Sequence, residues 1–264
     1  MLKLQSISKT FNPGTVNAKT ALDKLSLTLA EGDFVTVIGG NGAGKSTMLN
    51  AIAGTFMVDS GTILLGGKDI TRLPEYKRAE HLGRVFQDPM MGTAPTMQID
   101  ENLALAARRG QKRGLKWGIT KEEKEVYHEL LKDLELGLED RMTAKVGLLS
   151  GGQRQALTLL MATLKKPDLL LLDEHTAALD PRTAAKVLEI SQKVVEKNSL
   201  TTMMITHNMR DAIAFGNRLI MMDEGRIALD ISGEEKKHLT VADLLARFSA
   251  ASGREETDDK LLLS

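Results

Sequence analysis

The chain has 264 residues, 42% of them hydrophobic and only 3% aromatic, enough for one large domain with an aliphatic core. Lys plus Arg equal Asp plus Glu at 35 each, which removes bulk positive charge as a basis for nucleic-acid binding. There is no cysteine, so disulfides and thiolate metal sites are excluded and a reducing cytosol is the expected compartment.

In chain order, Leu2 and Leu4 alternate with polar neighbours, as do Leu25, Leu27 and Leu29, the period of antiparallel strands with one wet face. The first residues lack the long apolar run of a signal peptide, and the most apolar stretches, 157–164 and 169–172, are too short to cross a bilayer. Residues 34–38, Phe-Val-Thr-Val-Ile, are continuous β-formers, as in a buried central strand. They run into Gly39-Gly40-Asn41-Gly42-Ala43-Gly44-Lys45-Ser46-Thr47, a match to G-x-x-x-x-G-K-[ST] that opens a helix over about 44–53, stopped by Gly54. Without a Cβ at the glycines, backbone N–H groups can surround a polyphosphate. Lys45 then reaches the β- and γ-phosphates, and Ser46 places its hydroxyl on Mg²⁺. A glycine-rich turn without a ligand would leave Lys and Ser at those offsets unexplained.

Residues 83–87 form a further short strand ending at Gln87. Helices are predicted over 102–109 and 121–135, the second with Val126, Leu130, Leu131 and Leu134 on one face and a Thr120/Glu123 capping box. Between them, Arg108, Arg109, Lys112, Arg113 and Lys116 precede Trp117, a basic run that reads as a solvated loop or as a contact for lipid head groups.

Ser150-Gly151-Gly152-Gln153 makes a capping box for a helix running to Leu164, and the same uncovered N-terminus is an anion site. The Lys45 loop already holds the phosphates of one nucleotide, so a second grip implies a second molecule. Four leucines, 169–172, lead to Asp173 and Glu174, placing two carboxylates at the edge of a sheet where open α/β folds bind ligands. Asp173 suits a Mg²⁺ partner and Glu174 a base for the attacking water, although acids after a strand also serve simply as the next helix's N-terminal charge. A strand over 202–205 and a hairpin over 219–229, turning at Glu224-Gly225, follow; the tail, 248–264, is expected to fray.

Together the phosphate loop, Leu149-Ser150-Gly151-Gly152-Gln153, the Asp173-Glu174 strand end, Ala178-Leu179-Asp180 and His207 resemble, in order, the ATP-binding subunit of an ABC transporter. The resemblance covers residues 1 to about 245 and implies an α/β fold. Its parts would be a P-loop NTPase (RecA-like) core, an antiparallel β subdomain and a helical subdomain inserted at about 88–152, all within a domain over 1–247. It implies ATP and Mg²⁺ as cofactors and head-to-tail stacking with a second copy or with a homologous ATPase subunit. Each ATP would lie between Lys45 of one copy and Ser150, Gly151, Gly152, Gln153 and Asp180 of the other. By the same resemblance Gln87 senses Mg²⁺ and the attacking water, His207 contacts the γ-phosphate and Phe11 stacks on adenine.

The partners so implied are a separate polytopic transmembrane permease, docking near Gln87, Met90 and Met91, and an extracytoplasmic solute-binding protein. The subunit would then sit on the inner face of the membrane and power import, with Met48-Leu49-Asn50 and Gly67-Lys68-Asp69 resembling importers of hydrophobic amino acids. A soluble ABC ATPase acting on a non-transport partner is the competing class. Three positions depart from the family's pattern: His175 where proline is usual, Phe11 where tyrosine is frequent, and Gln155-Ala156-Leu157 where many relatives carry arginines.

Overall fold

The structure, a computed structural model, describes residues 1–111 and 118–252. In chain order it begins β1 (Leu2–Phe11), β2 (Lys19–Leu29), β3 (Phe34–Ile38), α1 (Lys45–Ala53), β4 (Ser60–Leu65), β5 (Lys68–Asp69) and α2 (Glu75–Arg78). Next come β6 (Leu82–Val85), α3 (Ile99–Ala107), α4 (Lys121–Lys132), α5 (Gly151–Thr163), β7 (Leu169–Asp173) and α6 (Pro181–Asn198). The run closes with β8 (Thr202–Ile205), α7 (Met209–Ala214), β9 (Arg218–Asp223), β10 (Arg226–Ser232), α8 (Glu234–Lys237) and α9 (Val241–Ser252). Two compact units emerge, residues 1–78 with 200–252, and 79–199.

In the first unit, the alternating leucines do what their period requires. β1 pairs antiparallel with β2 (Leu4 opposite Leu27) and with β4 (Leu4 opposite Ile63), burying Leu2, Leu4, Leu27 and Ile63. β3 is buried at every residue and runs parallel to β8 and β9 on its two sides. Thr36, its one polar residue, donates its hydroxyl to the Ala212 carbonyl at 2.8 Å, which satisfies it without water. The β9–β10 hairpin turns at Glu224 (φ 46°) and Gly225 (φ 76°), two left-handed residues as a two-residue hairpin needs.

In the second unit β6 and β7 are parallel, Leu82 opposite Leu169, and α5 lies so close to β6 that a Cβ on Gly83 would sit 2.7 Å from the Ala162 carbonyl oxygen. The unit therefore includes β6, β7, α5 and α6 as well as the helical stretch expected at 88–152.

Several boundaries differ from the sequence reading. β6 ends at Val85, so Gln87 lies in a bend beyond it, because the Phe86 carbonyl is taken by the Gln155 side chain. α3 starts at Ile99, earlier than expected, where Gln98 and Glu101 form a reciprocal capping box. α4 keeps its Thr120/Glu123 box but buries Tyr127 and Leu131, while Val126 is 55% exposed. β4 and α6 have no counterpart in that reading. Of the basic run, Arg108 binds the Ala104 and Gly118 carbonyls and Glu123, and Arg109 the carbonyls of Ala162 and Lys165, so both are tied to the protein's own groups. Lys112, Arg113, Lys116 and Trp117 lie outside the described residues, as do residues 253–264; residues 248–252, placed in the fraying tail by the sequence, continue α9.

Candidate nucleotide site

The first unit carries the phosphate loop. Residues 39–44 link β3 to α1, and three glycines there have left-handed backbone: Gly39 (φ 147°), Gly42 (φ 82°) and Gly44 (φ 100°). A Cβ at Gly39 would lie 2.3 Å from the Met222 carbonyl oxygen, and one at Gly44 2.5 Å from that of Ala21, so both close approach and backbone shape require glycine. Gly44 caps α1 without a side-chain acceptor, and no acidic residue sits in the first turn, leaving the helix N–H groups and dipole to an anion. Lys45, only 5% exposed, curls its ammonium back onto the Gly39 (2.6 Å) and Gly40 (3.1 Å) carbonyls. Asn41, Gly42 and Ser46 are exposed, Thr47 is half-buried and Ala43 is buried, its carbonyl accepting from Gly225 N–H at 3.0 Å.

Two further predicted contacts lie in this unit. Phe11, at the end of β1, is 36% exposed and meets Phe56 edge-on with centroids 5.3 Å apart, so it is not a core residue. His207 is exposed just past β8, where Thr206 Oγ1 accepts from Asn208 N–H and Asn208 caps α7. Lys19, opposite Phe11 on β2, was not singled out by the sequence, yet its Nζ would lie 2.9 Å from a Cβ on Gly42. A lysine twenty residues before the motif carries no local signal for that placement.

The second unit carries the carboxylates and the glycine pair. Asp173 closes β7, with Arg84 Nη2 3.4 Å from its Oδ2. Glu174 follows at φ 47° and is 9% exposed, a left-handed, buried acid at the strand edge. His175 is 2% exposed, and its Nε2 lies 3.0 Å from Ser191 Oγ on α6. Ser191 donates its own proton to the Val187 carbonyl, so Nε2 is the protonated nitrogen of a neutral ring. Burial pushes the pKa of that ring down to about 4. Gln87 is exposed in its bend.

Ser150 and Gln153 form the expected capping box at α5. Gly152 has a second reason to be glycine: a Cβ there would be 2.1 Å from Thr183 Cγ2 on α6, while one on Gly151 would be 3.0 Å from Leu179 Cδ2. Asp180 is exposed and caps α6, accepting from Thr183 N–H at 3.1 Å; its hydrogen bonds to Thr183 hold the carboxyl below its ordinary range. Among the described residues no cluster of three or more His, Cys, Asp or Glu could cage a metal.

Comparison with known proteins identifies the family. The family model described as ABC transporter matches residues 22–177. A tyrosine transport ATP-binding protein of Clostridioides difficile is 44% identical over 251 residues, 95% of this chain and 100% of that protein. A spermidine/putrescine import ATP-binding protein, PotA of Haemophilus influenzae, is 33% identical over 89% of this chain, which spans only 59% of that longer protein. Among solved structures, the dimeric, post-hydrolysis ATP-binding cassette MJ0796 bound to ADP and Pi superposes with a TM-score of 0.75 at 30% identity, over 88% of this chain and 98% of that one. With β3, the phosphate loop and α1 in the order a P-loop NTPase core requires, and with this likeness along its length, the chain belongs to the ABC transporter family as an ATP-binding subunit and is an ATPase.

Proposed function

We propose that this ATPase powers the import of a small organic solute through a separate polytopic membrane permease, and that its working form is a dimer. In it, each ATP lies between the Lys45 loop of one copy and the Ser150 helix of the other. The observation that carries the reading is that one chain holds two glycine-led helix N-termini without acidic residues in their first turns, α1 behind Gly44 with no side-chain cap and α5 behind Ser150 with Gly151 and Gly152. One nucleotide needs only the first.

Within this reading Lys45 and Ser46 hold the β- and γ-phosphates and Mg²⁺, with Gly39, Gly40, Asn41, Gly42, Ala43, Gly44 and Thr47 completing the cradle. Asp173 and Gln87 complete the Mg²⁺ site, Mg²⁺ supplying charge neutralisation at the transferring phosphoryl group. Glu174 polarises the attacking water, His207 contacts the γ-phosphate and Phe11 stacks on adenine. Ser150, Gly151, Gly152, Gln153 and Asp180 act across the dimer. The exposed Met90 (44%) and Met91 (53%) suit an adaptable apolar contact with the permease. No described helix is long and apolar enough to cross a membrane, so the pathway for the solute would belong to that partner.

The subunit would work on the inner face of the membrane, with an extracytoplasmic solute-binding protein supplying the cargo. The similarity to a tyrosine transport protein over that protein's whole length supports a hydrophobic amino acid as the solute. An affinity-tagged chain recovered from detergent-solubilised membranes should bring down a polytopic membrane protein, and cells carrying Lys45→Ala should lose uptake of labelled tyrosine. Recovery with ribosomes or soluble assembly factors alone, with uptake intact, would overturn the transport role.

A further inference from the structure

Helix α5 grips the segment around Gln87 at two points. Gln155 is fully buried, and its Nε2 donates to the Phe86 carbonyl at 2.8 Å, one residue past the end of β6. One position earlier, Arg154 Nη1 lies 2.6 Å from Met90 Sδ, while its other nitrogens reach the carbonyls of Val146, Gly147 and Leu149. The two ties fall on either side of Gln87.

Stability alone gives little reason for Gln155. Its Oε1 has no hydrogen-bond partner, so only one of the two polar atoms of this buried amide is engaged. An unpaired buried acceptor carries a desolvation cost that an apolar side chain of similar volume would avoid. Breaches of local rules of this kind concentrate where function requires them. What the amide supplies and a methionine could not is a directional bond to the peptide immediately before Gln87.

We infer that Gln155 is a positioning residue for Gln87. It fixes the Phe86 peptide to the helix that Ser150 caps, so Gln87 and the Ser150 turn are carried as one body. Ser150 and Gln155 are five residues apart, about 7.5 Å along one helix, short enough to move rigidly. Arg154 adds a second tie beside the exposed Met90 and Met91, so displacement of that surface is passed to α5 and to Gln87 together. The inference rests on the reading of Gln87 as the glutamine that senses Mg²⁺ and water.

The test compares the full chain with Gln87→Ala and Gln155→Met, measuring kcat, KM for ATP, the Mg²⁺ concentration for half-maximal rate and Tm. Gln155→Met should lower kcat about tenfold and raise the Mg²⁺ requirement, as for a misplaced group, with KM for ATP within about twofold of the parent. Its Tm should stay within about 4 °C, since the lost hydrogen bond is offset by removal of the unpaired oxygen. Gln155→Leu repeats the test if the methionine variant does not fold. If Gln87→Ala impairs turnover and Gln155→Met does not, the inference fails alone. A parallel loss of Tm, kcat and ATP affinity would make Gln155 a structural residue and likewise overturn it. Parent-like turnover in Gln87→Ala would instead remove the reading of Gln87 on which it stands.

Discussion

Glu174 and His175 are adjacent, both buried, and built for different tasks. Glu174 sits at the strand edge with left-handed backbone, and in the proposed role of base a carboxylate contributes about 10²- to 10⁴-fold to a rate. Glu174→Gln should lower kcat by that order while equilibrium binding of ATP, followed by calorimetry, stays at the parent level; undiminished turnover would reject the assignment. His175 is neutral in the fold with a pKa of about 4, against an ordinary 6.5. The unfolded chain therefore binds the extra proton first as pH falls. Stability is fully present above pH 6.5 and is lost as pH drops toward 4, by up to about 3 kcal/mol for this ring. Urea unfolding at pH 7 and pH 4.5 should give a shallower acid loss for His175→Gln than for the parent.

Among the elements, α5 and α6 meet at Gly152, where packing requires glycine. Gly152→Ala would drive a methyl against Thr183 Cγ2, which a β-branched side chain capped into α6 cannot easily swing away, and overpacking of this kind costs about 1–3 kcal/mol. Thr183→Ser removes that methyl. The double variant should recover most of the thermal stability lost by Gly152→Ala, and failure to do so would place the strain elsewhere.

At the far end of α1, Arg78 is 1% exposed and donates to the carbonyls of Ala51 (2.7 Å), Ile52 (2.9 Å), Leu73 (2.8 Å) and Thr71 (2.9 Å). Arg78→Met orphans these carbonyls and should destabilise the fold by about 3 kcal/mol in chemical denaturation, with the loss centred on the phosphate-loop helix.

These cases mark what the residues disclosed beforehand. β3, the phosphate loop, α5 and β7 were legible because each joins a strong period to a cap or turn with its own chemistry. β4 was missed because Gly61 and Thr62 break its alternation, and it becomes a strand by pairing with β1. Arg78, Lys19 and the Phe86 carbonyl's bond to Gln155 are long-range contacts with no local signature.

For the molecule as a whole, the proposed working form shares each nucleotide between two copies. The two anion-ready helix ends lie in different compact units, α1 in the first and α5 in the second. A ligand bound by two chains shifts them toward the dimer in proportion to its affinity for the closed form, and hydrolysis reverses the shift. The direct measurement is the mass of Glu174→Gln by sedimentation or light scattering, with ATP and Mg²⁺, with ADP, and combined with Gly151→Asp, which sets a negative charge at the first turn of α5. The account predicts a dimer with ATP only, lost on adding Gly151→Asp. A monomer in all three conditions, under ATP concentrations that saturate the Lys45 loop, would contradict it.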